Sequence, residues 1–123
     1  MAGHAEVSLN AAADASAALV KTVGLHTAEP GVDGTTAEVS GSNYSRAAAD
    51  DWSGASGGIA ETSAEVQFAT PSGSWGACTH YSLWGTGPVF LGGFALGATR
   101  TPTSGADVDF AAGDLTITAA NPA

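Results

Sequence analysis

A chain of 123 residues with 12 acids against Lys21, Arg46 and Arg100, a formal charge of −9, has the length of one domain and a surface that repels phosphate. That balance excludes nucleic-acid binding, which needs cations to displace counterions, and binding to an anionic membrane; no stretch approaches the ~20 apolar residues of a spanning helix. Of the 44% apolar residues 26 are Ala, and beside 17 Gly they leave few side chains large enough to fill a core, which implies an oligomer or a docked subunit.

In chain order, the opening Met-Ala-Gly-His-Ala-Glu has neither a basic start nor an apolar core, so no signal peptide is expected. Residues 9–23 predict a helix: Leu9, Ala13, Ala17, Val20 and Val23 recur at three- and four-residue steps, Ser8 or Asn10 offers a cap and Gly24 a stop. A contact face made mostly of Ala permits close approach, either to a sheet of the same chain or to a partner subunit. Leu9, Ala13, Ala17 and Val20 are therefore the candidate interface residues.

Val23 to Gly31 reads as a short strand running into a Pro30-Gly31 turn, and the stretch from Val32 to Asn43, with Gly34, Gly41 and several Ser and Thr, reads as a surface loop. Tyr44 to Trp52 is extended, and Arg46 in so acidic a chain is expected to pair with a carboxylate or to stack on a ring. Ser53 to Gly58 is a turn, and Ala64 to Ala69 a strand with Val66 and Phe68 facing in.

From Thr79 to Trp84 the residues alternate, with Thr79, Tyr81 and Leu83 on one face and His80, Ser82 and Trp84 on the other. Aromatics on both faces suit an interior strand, and this segment is the expected centre of the domain. Val89 to Leu96 is an apolar strand in which Gly92-Gly93 suggests a bulge or a close approach of another backbone, Thr99 to Pro102 is extended, and Asp107 to Phe110 and Asp114 to Thr118 are further strands. Six to eight short strands between Gly and Pro turns predict a mainly β fold, an antiparallel β-sandwich or partly open barrel with one N-terminal α-helix. It forms a single domain over 1–123, with the helix at about 9–23 and the β part at about 24–118.

A search for chemistry yields little. Cys78 is the single cysteine, so no disulfide forms within the chain, which fits folding in a reducing cytoplasm; with no cation beside it, the thiol reads as buried. His4, His26 and His80 lie far apart, and His26 with Glu29 or Asp107 with Asp109 reads as solvated surface before it reads as a metal site. No Gly-x-Ser-x-Gly or phosphate-binding loop is present, and no catalytic, cofactor-binding or metal residue is assigned. Trp52, Trp75 and Trp84 are the side chains able to stack on sugar rings if exposed, although core packing explains them first.

Read together, Leu25 to Gly31, Glu38-Val-Ser-Gly41, Tyr44-Ser-Arg46, Trp75-Gly76, Thr79-His80, Leu83-Trp84, Gly93 to Leu96, Phe110 to Gly113 and Leu115-Thr116 resemble a family of small virion structural proteins of tailed bacteriophages. Its members are labelled head decoration, minor structural or tail fibre proteins. The ordered set spans about residues 9–118 and is departed from at Asp50-Asp51 and Gly92. The resemblance implies no enzyme and no cofactor, with Pro30, Gly31, Tyr44, Arg46, Trp75, Trp84, Phe110 and Gly113 as turn formers and packing anchors. It further implies a subunit made in the bacterial cytoplasm and placed on the outer surface of the virion. A capsid decoration role comes first, with the major capsid protein and copies of itself as partners and a trimer as one symmetric arrangement. A tail fibre or baseplate component that contacts host glycans is the alternative.

Overall fold

The computed structural model of the chain describes residues 13–118. A short helix, α1 (13–19), precedes eight strands: β1 (Thr22–His26), β2 (Ala47–Ala48), β3 (Ile59–Glu61), β4 (Val66–Gln67), β5 (Cys78–Gly85), β6 (Val89–Arg100), β7 (Asp109–Phe110) and β8 (Thr116–Thr118). All pairings are antiparallel. One four-stranded sheet has the order β2-β1-β5-β6, two-stranded sheets are formed by β3 with β8 and by β4 with β7, and none closes into a barrel.

The alternation read along β5 sets this arrangement. Val23 stands opposite Leu83 and Leu25 opposite Tyr81, so these four side chains share one face, all of them buried. Against that face packs the main core, to which Val66, Phe68, Phe110, Leu115 and Ile117 contribute from or beside the two small sheets. The Tyr81 hydroxyl bridges the layers, donating to the Thr116 carbonyl at 2.6 Å and accepting from the Thr116 N–H at 3.0 Å. Thr22, Gly24, His26, Ser82, Trp84 and Phe90 alternate onto the opposite face by the same register.

Two expectations change. The helix ends near Leu19 and not at Gly24, because Val20 to Val23 contains three β-branched residues and the β5 edge is free to pair. The Lys21 N–H already donates to the Trp84 carbonyl, and Val23 lies in β1. Of the stripe read as lying on a sheet of the same chain or on a partner subunit, Ala13, Ala17 and Val20 are buried in the chain's own core, while Leu9 lies outside the described residues. The second change is β3, which comes directly after the Gly57-Gly58 turn and was hidden by it; its three residues lack a usable alternation and acquire strand character by pairing with β8.

Residues 32–43 are more than a surface loop. Ala37 to Val39 pairs with the β1 edge beyond β2: the Val39 N–H donates to the Leu25 carbonyl, the Thr27 N–H to the Ala37 carbonyl, and His26 stands opposite Glu38. The segment therefore delivers Glu38 to the second face of the sheet.

Cys78 is fully buried, and burial pushes its thiol pKa up. A water-soluble thiol reagent is expected to leave the native chain unmodified and to label it stoichiometrically in denaturant; rapid native labelling, read by mass spectrometry, would contradict the packing described.

Candidate functional site

Polar side chains converge on the second face of the four-stranded sheet, around a glycine. Gly24 in β1 faces Ser82 across the strand pair, and a Cβ built at Gly24 would meet Glu38 Oε2 at 2.7 Å, Ser82 Oγ at 2.8 Å and the Tyr44 hydroxyl at 3.0 Å. Only a residue without a side chain leaves room for these three groups to meet over the sheet.

On one side of Gly24, Arg46 grips Glu38 with two parallel bonds, Nε to Oε2 and Nη2 to Oε1, both 2.9 Å. Tyr44 donates to Glu38 Oε2 at 2.7 Å, and its oxygen accepts from the Leu25 N–H at 3.0 Å. Burial raises the Glu38 pKa, but the Arg46 and Tyr44 bonds and the Arg46 charge outweigh it and hold the carboxyl below the usual carboxylate range. Burial and the adjacent Glu38 push the Tyr44 phenol well above its ordinary value, so it remains a donor. The guanidinium of Arg46 also lies 3.6 Å from the centre of the Trp84 ring, a cation–π contact that leaves its edge free for Glu38.

On the other side lies a second chain of bonds, buried from His26 through Ser82 to Trp84. The Thr36 carbonyl can only accept, so His26 Nδ1 donates to it at 2.8 Å. His26 Nε2 lies 2.7 Å from Ser82 Oγ and, as the Nδ1–H tautomer, accepts from it, while Ser82 accepts from Trp84 Nε1–H at 2.8 Å. A histidine hydrogen-bonded to a serine also occurs in acyl-transfer sites, but His26 and Ser82 are both 0% exposed, and the His26 orienting partner is a backbone carbonyl. In this geometry the pair satisfies buried polar groups and ties the 27–46 segment to the sheet. Among the described residues no buried side-chain nitrogen or oxygen is left without a bond.

Of the residues singled out in the sequence, Tyr44, Arg46 and Trp84 come together in this network. Trp75 is buried beside it, edge-on to Tyr44 with ring centres 5.2 Å apart, and its Nε1–H donates to the Ser42 carbonyl. Phe110 belongs to the main core, where it meets Phe68 edge-on and lies under the Arg100 guanidinium. Pro30 is buried on the second face against Gly93, whereas Gly31 and Gly113 occupy turns with φ of +80° and +88°. Glu38, His26, Ser82 and Gly24 complete the network and were not assigned to it from the sequence. The available signal was the pairing of an expected Arg46 partner with Glu38, eight residues away; nothing local linked His26 to Ser82.

Two surface readings also resolve. The stacking role considered for Trp75 and Trp84 does not hold, since both are buried, and half-buried Trp52 donates its Nε1–H to the Ala49 carbonyl. His26 does not share a cation with Glu29: its nitrogens face Thr36 and Ser82, and Glu29 is exposed. Elsewhere an open cleft of about 430 Å³ runs between the Pro30 turn and β6, with Glu29, His80, Phe90 and Phe94 on its walls.

No curated protein matches the chain. A family model described as podophage GP4 fiber I protein gp80 matches residues 7–118, nearly the whole length. The chain, an antiparallel β domain with a polar network over one face of its main sheet, thus belongs to the podophage GP4 fiber I protein gp80 family of tailed-phage structural proteins.

Proposed function

We propose that the chain is a structural subunit of a podophage virion fibre, acting by adhesion to protein neighbours and carrying out no reaction. The match to a fibre-protein family over residues 7–118 carries this reading, and it favours a fibre over the head decoration role that the sequence resemblance placed first. The chemistry of the fold is consistent with it. The polar groups that resemble a reactive constellation are all engaged and contribute rigidity: His26 with Ser82 and the Thr36 carbonyl, and Glu38 with Arg46 and Tyr44. A charge of −9 with three cations suits a position on the outside of the particle, away from packaged DNA. Copies of the chain and a neighbouring virion protein are the expected partners.

Quantitative gel electrophoresis of purified particles, combined with antibody labelling in the electron microscope, tests the proposal. Expected are a handful to a few dozen copies per particle and label on an appendage. Hundreds of copies with label over the shell would overturn it in favour of decoration, since only a capsid lattice repeats a site so often. Absence from the particle would overturn both.

A further inference from the structure

Trp52 is the one tryptophan left half-exposed, since Trp75 and Trp84 are buried. Its position is fixed: Nε1–H donates to the Ala49 carbonyl at 2.8 Å, and its backbone stands opposite Thr62 in a β-bridge. Part of the ring packs on the core, and the rest lines an open cleft of about 210 Å³ between α1 and residues 50–54. Among the described residues no ring and no cation stacks on it.

The polar side chains around this ring are acceptors. Asp14 and Asp50 line the same cleft; Asp14 Oδ1 takes the Ala55 N–H at 2.7 Å, which holds the carboxylate in place, and Asp50 is exposed with no hydrogen bond or ion pair to a described residue. The side-chain donors of the cleft are already used, Trp52 Nε1–H by the Ala49 carbonyl and the Ser53 hydroxyl by the Glu61 carbonyl at 3.1 Å. A sugar presents hydroxyls that both donate and accept, whereas a guanidinium only donates, carries the complementary charge and stacks flat on an aromatic face. The subunit builds that combination inside itself: Arg46 lies 3.6 Å from the centre of the Trp84 ring while its edge binds Glu38, and Arg100 lies over Phe110.

We infer that the Trp52 cleft receives an arginine side chain of a neighbouring virion protein, its guanidinium stacked on the indole and its N–H groups directed to Asp50 and Asp14. The occupant belongs to a different polypeptide, because Arg46 and Arg100 are this chain's only arginines and both are engaged within the subunit. A net charge of −9 favours the approach of a basic surface, and the cleft supplies a point at which that surface is held in one orientation. The inference rests on the adhesive reading above and deepens it by naming the chemistry of one neighbour. It is tested on the isolated chain, so its failure is distinguishable from a wrong location on the particle, which copy number and labelling report.

Titration of the purified chain with the peptide acetyl-Gly-Arg-Gly-Arg-Gly-amide, followed by the indole N–H resonance of Trp52 in heteronuclear NMR spectra, is the test. Trp52→Phe assigns the resonance. A saturable shift in the millimolar range is expected at Trp52, with the buried Trp75 and Trp84 indoles unmoved. The same peptide with citrulline in place of arginine keeps the shape but loses the charge, and is expected to give no saturable shift. Asp50→Asn, an exposed change that breaks no bond to a described residue, is expected to weaken binding about three- to tenfold while leaving the circular dichroism melt unchanged. Asp51→Asn, exposed and outside the cleft lining, is expected to retain full affinity. No saturable shift with the arginine peptide, an equal shift with the citrulline peptide, or full affinity in a folded Asp50→Asn would overturn the inference. A Trp52 shift on adding glucose or galactose but not the peptide would overturn it in favour of a sugar-binding cleft.

Discussion

Glu38→Ala is expected to lower the free energy of unfolding by about 2–4 kcal/mol, because it leaves a guanidinium and a phenol facing a largely dry space with nothing to bind. The side chains of Arg46 and Glu38 are 25% and 17% exposed, so the cost falls below that of breaking a fully buried pair. Urea unfolding measures it, and the double variant Glu38→Ala/Arg46→Ala should lose clearly less than the sum of the two single changes, since the partners share one interaction. Arg46→Lys preserves the charge but gives up the second parallel bond and the planar stack on Trp84, so it should recover only part of the loss.

The same residue makes stability depend on acid. Its folded-state pKa lies below the ordinary carboxylate value, so the contribution is complete above the unfolded pKa and disappears as pH falls through the lower, folded one. Glu65 works in the opposite sense: its bond to Asp109 and the nearby carboxylates raise its pKa, so acid relieves repulsion there. The native melting temperature is therefore expected to fall below about pH 4.5, and the difference between native and Glu38→Gln melts should shrink over that window. A difference that is constant down to pH 2 would show that Glu38 is not held as a carboxylate by its partners.

The second large effect is expected at Ser82→Ala, which deletes one hydroxyl and orphans two groups. Trp84 Nε1–H loses its acceptor and His26 Nε2 its donor, both in a region with no access to water. Two unsatisfied buried groups cost about 2–4 kcal/mol, against well under 1 kcal/mol for the same change at an exposed serine such as Ser63. Denaturant midpoints for the two variants decide it. Near-equal values would mean that the His26–Ser82–Trp84 chain contributes little to holding the 27–46 segment on the sheet.

Much of the β framework was legible in the residues. Along β5, alternation placed Tyr81 and Leu83 on one face and Ser82 and Trp84 on the other, whereas the bulge expected at Gly92-Gly93 falls at Leu91, which the pairings of Leu83 with Gly92 and of Trp84 with Phe90 skip. Val66, Phe68, Leu115 and Ile117 face the core as their spacing indicates. These features are local: a period of two residues reports which side of a strand each side chain occupies, whatever the strand pairs with.

Distant partners decided the features that neighbours along the chain could not settle. The helix gives way to β1 because β5 offers hydrogen bonds to Lys21 and to the strand residues beyond it, and β3 exists because β8 lies alongside. Glu38 and Gly24 acquire their roles only when the 37–39 segment pairs with β1, and His26 finds Ser82 across 56 residues. Sequence by itself determined the class of fold, the faces of the main strands and a surface dominated by carboxylates. Tertiary structure decided where α1 stops, which tryptophans are hidden and which polar groups meet, because the satisfaction of a buried donor depends on the acceptor that folding brings to it.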